Sequence, residues 1–206
     1  MNCHSNKRKV CVRAAAILTV LCASACGGAR HDDFQGAHAG TGWRGEGGTW
    51  QVVDGRYAHT REKTDGGAAY AVSPFPIADG TIAVRATATQ HNRVNGGGCF
   101  GIAKYMDADN WYAVRYGSYG AVAVVVHAGG KRRIISTGYH FRPKRDQTYD
   151  ARILIKGSRL LVCLDKRAIA VVEGLPVFDG PTYAGLFALS ACAFDDVQVS
   201  KELLPE

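Results

Sequence analysis

Hydrophobic and polar positions alternate with a period of two along much of this chain, most clearly between residues 79 and 116. Ile82, Val84 and Ala86 alternate with Ala83, Arg85 and Thr87, the period of a half-buried strand. After a Gly-rich break the same period returns in G-C-F-G-I-A-K-Y and then, past a D-A-D-N turn, in W-Y-A-V-R-Y. β-Branched and aromatic residues dominate two of these three runs, so an antiparallel sheet is the expected organising unit. Comparable runs cover residues 69–72, 121–127, 131–139, 148–156, 159–164, 167–172, 184–189 and 194–199. Asp54-Gly55, Gly129-Gly130, Gly157-Ser158 and Asp165-Lys166 fall between neighbouring runs as hairpin turns. No run has the helical period of 3.6, and no internal repeat stands out. About a dozen short strands predict an all-β protein that manages its edges as a sandwich or a barrel.

Composition supports a single domain with a real core: 206 residues, 25 of them Gly, 47% hydrophobic. The formal charge of +7 is less informative than it looks, because Lys7, Arg8, Lys9 and Arg13 supply +4 of it within the first 25 residues. The remaining +3 argues against a nucleic-acid partner.

The basic start precedes an apolar run over 14–25, too short to span a bilayer and of signal-peptide length. The run ends Leu21-Cys22-Ala23-Ser24-Ala25-Cys26-Gly27-Gly28. Small residues before Cys26 resemble a bacterial lipobox, in which Cys26 is lipidated and becomes the first mature residue. Ordinary cleavage after Ala23-Ser24-Ala25 is the competing reading, and the domain is exported under both. The expected division is a signal peptide at 1–25, lipidated Cys26 with a tether to residue 31, a domain at 32–200 and a tail at 201–206. A tether over 27–31 spans at most ~17 Å, which keeps the domain near a membrane. Gly27 after the cysteine points to the outer membrane, as the lipobox resemblance implies. Cys99, Cys163 and Cys192 then remain in a compartment that permits disulfides. They allow at most one bridge, and Cys163 in L-L-V-C-L-D reads as a strand hydrophobe.

A resemblance covers nearly all of 32–200. D-D-F, G-W, G-x-W-x-V-x-D-G-x-Y, G-I-A-x-x-x-x-x-D-N-W-Y-A-V-R and F-D-D-V-x-V occur in order. Together they resemble the concanavalin A-like lectin/glucanase superfamily, and more narrowly its laminin-G-like and 3-keto-disaccharide hydrolase-type members. The resemblance implies a jelly roll of two antiparallel sheets, the concave one often holding carbohydrate. It also implies first and last strands lying side by side, often with a calcium ion. Function does not follow from fold alone.

Glycoside hydrolysis requires paired carboxylates. None of the five Glu has an acidic partner two residues along the chain, so the laminarinase-type E-x-D-x-E is lacking and catalysis is disfavoured. G-x-S-x-G is also lacking, and a pairing of Cys99 with His91 across three glycines would be accidental. For binding, Trp111 and Arg115 share one face of a strand with Ala113. A ring beside a forked guanidinium suits sugar faces, hydroxyls and carboxylates; structural roles in core and solvated sheet compete. Arg85 and Arg152 have outward parity and are expected to join that face. D-A-D-N is not an EF-hand opening, since the sixth-position Gly and twelfth-position Glu are missing. Asp32, Asp33, Asp195 and Asp196 are the candidate Ca²⁺ ligands near the two domain ends, with strand-edge acids as the plain alternative. The histidines lack zinc spacing. Lys131-Arg132-Arg133 and Arg142-Pro143-Lys144-Arg145 read as a charged guard on an edge strand, anionic glycan or lipid being the other reading. The expected function is a lipid-anchored, non-catalytic binder of carbohydrate or envelope glycan. A hydrolase of sugar derivatives and a protein-interaction module are the alternatives.

Overall fold

The computed structural model describes residues 29–36, 40–60, 69–89 and 100–201; the signal segment, Cys26, Cys99 and the tail beyond 201 lie outside them. Fifteen strands are found among the described residues. They are β1 (Arg30–Asp32), β2 (Arg44–Glu46), β3 (Trp50–Val53), β4 (Arg56–His59), β5 (Ala69–Pro76), β6 (Gly80–Ala88), β7 (Phe100–Asp107) and β8 (Asn110–Ser118). There follow β9 (Ala121–Ala128), β10 (Lys131–His140), β11 (Thr148–Lys156), β12 (Arg159–Leu164), β13 (Arg167–Val172), β14 (Tyr183–Ala188) and β15 (Cys192–Ser200).

They form two antiparallel sheets. The first has eight strands in the order β13-β12-β11-β6-β15-β4-β3, with β1 also on β15; the second has seven in the order β10-β9-β8-β7-β14-β5-β2. The first and last strands therefore do lie side by side, with Asp32 opposite Val197. Arg30 and His31, expected in the tether, already pair with Val199 and Gln198. The unit expected over 79–116 is split. β7 pairs with β8 in the second sheet, whereas β6 sits in the first between β11 and β15. A period of two reports which side chains alternate and carries nothing about which sheet a strand joins.

Hairpin chemistry behaves as the turn residues require. Asp54-Gly55 and Gly129-Gly130 have positive φ at both central positions (50° and 68°; 56° and 72°), the backbone of tight turns that match strand twist. Cys163 is half-buried on β12 and Cys192 buried on β15.

The core fills the space between the sheets. From the first sheet come Ile82, Val84 and Ala86, with Ala151, Ile153 and Ile155; from the second come Ile102, Tyr112, Val114 and Tyr116. Tyr116 is fully buried, and its hydroxyl donates across the core to the carbonyls of Cys163 (3.0 Å) and Arg152 (3.3 Å), joining β8 to β12 and β11. Phe34, Trp43, Tyr57, Trp50 and Phe194 make a second lock beside β15, with centroids 5.3–6.0 Å apart between stacked neighbours. Asp32 fastens it: Oδ1 accepts from the Phe34 amide (2.9 Å) and Oδ2 from the Trp43 indole (2.8 Å).

Tyr116→Phe removes one hydroxyl and leaves the ring packing intact. It is expected to cost about 1 kcal/mol, read as a lower urea midpoint at an unchanged m-value.

Candidate functional site

Each strand of the second sheet has a face turned away from the core, where aromatic and cationic side chains stand among small apolar ones. Directly paired residues share a face, so the register fixes its rows. One row runs Arg132, His127, Trp111, Tyr105, Tyr183 from β10 to β14. A row further along runs Arg115, Gly101, Phe187, Tyr70, Glu46 from β8 to β2. Arg44 enters between them from β2, opposite Val72. Val72, Ala103, Tyr105, Trp111, Ala113, Val125 and Phe187 form a separate buried cluster under partly exposed Tyr70, Tyr183 and Leu189. Gly101 leaves room there: a Cβ on it would lie 3.2 Å from that of Phe187 and clash with the Val114 carbonyl.

Tyr70 holds the face together. Its ring meets Trp111 edge-on at 4.8 Å and Phe187 at 5.6 Å, although two strands separate β5 from β8; the rings lean across the intervening backbone. Trp111 also packs on His127 at 5.4 Å, and its indole donates to the Ala108 carbonyl at 3.2 Å. Burial pushes the Tyr70 hydroxyl far above the usual tyrosine range; Arg132 and Arg115 oppose that rise, while Tyr105 and Glu46 add to it. Burial likewise raises Tyr105, with Glu46 and Asp107 adding to the rise and Arg44 opposing it. Both hydroxyls stay protonated and can donate. Glu46 is exposed. Asp107 spends its carboxylate inside its own turn, on the Asn110 amide (2.9 and 3.1 Å) and the Asp109 backbone (2.9 Å).

Of the four expected ligand contacts, the structure brings two together. Trp111 and Arg115 share this face, both buried, at 5% and 3% exposure. Arg85 and Arg152 do not join them. They lie on β6 and β11, on the side of the first sheet that faces away from the core, because their core-facing neighbours Val84, Ala86, Ala151 and Ile153 point the other way. Outward parity is the same for two sheets and cannot tell one outer face from the other. Trp111 is the support beneath Tyr70 rather than the accessible platform. Tyr70, Tyr105, Tyr183, Arg44 and Glu46 were not singled out from sequence, and Arg132 was read there only within the basic segment Lys131-Arg132-Arg133. The signal for Tyr70 was its isolation between Ala69 and Ala71 in a strand already recognised.

The four acids expected to hold calcium do not assemble. Asp32 is committed to Phe34 and Trp43, and Asp33 Oδ1 accepts from the Gln35 amide at 3.0 Å. A bulge between Asp195 and Gln198 turns Asp196 into the left-handed region (φ 49°) and aims it at Arg85, 3.0 Å away, with His31 at 3.3 Å. Asp195 lies 3.6 Å from the same guanidinium. Among the described residues no group of three or more His, Cys, Asp or Glu is arranged for a metal, so these acids do not fit a calcium site. Lys131-Arg132-Arg133 lie on β10, the edge of the second sheet, as a guard strand requires. Beside them a cavity of about 340 Å³ is lined by Val126, Lys131, Arg133, Leu175 and Pro176, and Arg133 donates to the Gly174 carbonyl at 2.9 Å.

No family model and no curated protein matches the chain. Solved structures do. The carbohydrate-binding module CBM66 from Bacillus subtilis superposes with a TM-score of 0.65 at 20% identity, covering 78% of this chain and 96% of that one. A β-glucanase from Bacillus licheniformis gives 0.56 at 12% identity, covering 86% of this chain and 100% of that one. A non-specific endo-β-1,3(4)-glucanase of family GH16 gives 0.53 at 14% identity, with 91% and 94% covered. The domain has the concanavalin A-like, glucanase-like jelly-roll fold.

The Arg85–Asp196 pair yields a pH prediction. The hydrogen bond from Arg85, chiefly, holds Asp196 below its ordinary value of 3.8. A depressed folded-state value stabilises above the ordinary range and is lost as pH falls through the depressed one. With Arg85 half exposed and Asp196 a third exposed, solvent screening limits the pair to about 0.2–1 kcal/mol. Asp196→Asn is expected to lower the melting midpoint by that small amount at pH 7, the difference closing as both proteins are taken below pH 3.8.

Proposed function

We propose that this domain is a non-catalytic glycan-binding module, exported and held to a membrane through a lipid on Cys26. The observation that carries the binding part is the outer face of the second sheet. Accessible Tyr70 and Tyr183 are backed by buried Trp111 and Phe187 and flanked by hydroxyl and guanidinium donors. Apolar ring faces beside fixed donors complement a pyranose, whose C–H faces are apolar and whose edges carry hydroxyls. The opposite outer face of the sandwich carries the Arg85–Asp195–Asp196 ion pairs instead. The similarity in fold to a carbohydrate-binding module and to glucanases agrees with this reading.

Hydrolysis is the second reading, favoured by Glu46 and Asp107 both acting on Tyr105. Against it, Asp107 is tied down by Asn110, whereas a glycosidase needs two working carboxylates.

Affinity electrophoresis through gels cast with different polysaccharides tests the binding. Tyr70→Ala is expected to weaken any retardation about three- to tenfold, the worth of one aromatic contact, while a hydrolase would release reducing sugar in a manner abolished by Glu46→Gln. For the anchor, Cys26→Ser is expected to move the protein from the membrane pellet to the soluble fraction. Unchanged pelleting would reject lipidation.

A further inference from the structure

We infer that the end of the sandwich at which the chain enters is a membrane-facing surface, and that the cavity beside β10 receives the headgroup of an anionic phospholipid; the orientation rests on the lipid-anchor reading above. β1 starts at Arg30, opposite Val199, one residue before β15 finishes at Ser200 opposite Thr81. The turn between β11 and β12 lies at the same end, since Ile155 faces Gly80 at the start of β6. The segment after β13 ties the two sheets together there. The Leu175 amide donates to the Ser158 carbonyl at 3.0 Å, and Arg133 of β10 donates to the Gly174 carbonyl at 2.9 Å. That contact brings the start of β10, with the Gly129-Gly130 turn before it, to this end as well. The chain from Cys26 to Arg30 reaches at most about 14 Å. Strand β11 alone, with nine residues, is about 30 Å long, so a lipid on Cys26 holds this end, and not the far one, against the bilayer.

The chemistry of this end suits a charged bilayer surface. The cavity has an apolar floor of Val126, Ala128, Leu175 and Pro176, with Lys131 and Arg133 at its wall. Lys131, Arg132 and Arg133 are all exposed, and so is Val177, at 61%, directly after Pro176. Several acids at this end are already answered. Asp79 accepts from the Gly157 amide at 2.9 Å, Asp107 accepts from Asn110, and Glu173 lies 3.8 Å from Arg159. Exposed Asp109 and Asp179 stand against the three cations of β10 and against Arg30, Lys156 and Lys201 at the same end of the first sheet. A soluble anion would answer the cations and leave Val177 in water. A phospholipid answers both: its phosphate accepts from ammonium and guanidinium groups, and its glycerol and first acyl carbons cover the apolar floor and Val177. The strands then stand upright on the bilayer, and the outer face of the second sheet is open to ligand from the side.

The test uses the mature chain, residues 26–206, carrying Cys26→Ser so that no lipid is attached, in sedimentation with vesicles of phosphatidylglycerol or of phosphatidylcholine. The expected result is binding to phosphatidylglycerol about tenfold tighter or more than to phosphatidylcholine, and lost in high salt. Lys131→Gln with Arg133→Gln is expected to weaken it about tenfold or more, and Val177→Asp, at an exposed position, about fivefold. Lys144→Gln with Arg145→Gln, beyond the far end of β10, is expected to leave it unchanged. Equal binding to both vesicles, or none to either, would overturn the membrane surface. The lipid anchor would then still stand on its own fractionation, read after a high-salt wash that releases proteins held by charge alone. Loss through Lys144 and Arg145 instead would overturn the inference too, as would binding through Lys131 and Arg133 to polygalacturonate but to neither vesicle.

Discussion

Strand β8 has two faces and must bury both, and the rest of the molecule follows from that demand. Tyr112, Val114 and Tyr116 enter the inter-sheet core, while Trp111, Ala113 and Arg115 enter a second cluster on the far side. The outer face of an antiparallel sheet is ordinarily solvated and polar. Here it is dry enough to hold an indole and a guanidinium at a few per cent exposure. A guanidinium buried that deeply requires its charge to be answered. Tyr116 adds the complementary constraint, because its hydroxyl bridges two strands of the opposite sheet and so sets β8 against β11 and β12.

Much of the fold was legible in the chain. Alternation located β6, β8, β9, β11, β12 and β13 nearly to the residue, and the turns at Asp54-Gly55 and Gly129-Gly130 have the backbone their residues demand. Sheet membership was not legible. β6 and β7 are consecutive, yet they lie in different sheets on either side of residues 90–99. Hairpins announce themselves through turn residues, but a crossover is decided by how whole sheets pack, and single-strand periodicity is blind to it. The candidate site suffered for the same reason. Once β6 and β11 fell in the first sheet, Arg85 and Arg152 could not meet Arg115, though all three have outward parity. Tyr70, Arg44 and Arg132 reach the site from strands far apart in sequence, and only the register unites them.

The motif residues that first suggested the superfamily turn out to hold the sandwich shut. Asp32 receives the Phe34 amide and the Trp43 indole, Trp50 stacks on Tyr57, and the acids of F-D-D-V receive Arg85. A jelly roll needs its terminal strands clipped together, and that requirement is indifferent to the ligand. They therefore report fold and not chemistry. It also explains why acids suggestive of calcium do not assemble a site: both oxygens of Asp32 are directed at an indole and a backbone amide, not at a cation.

The outer face of the second sheet draws on residues inside and outside those motifs, Trp111 and Arg115 from D-N-W-Y-A-V-R and Tyr70, Arg44 and Arg132 from elsewhere. Arg132 and Arg115 stand over β8–β10, Arg44 and the exposed carboxylate of Glu46 enter together at β2, and the ring of Tyr70 lies between. A face of uniform polarity would fix a sugar's plane and leave its direction free. With guanidinium groups at both ends of this face, charge alone would not set the direction of a sugar bound as proposed. On that reading the rings, indifferent to direction, supply the contact area.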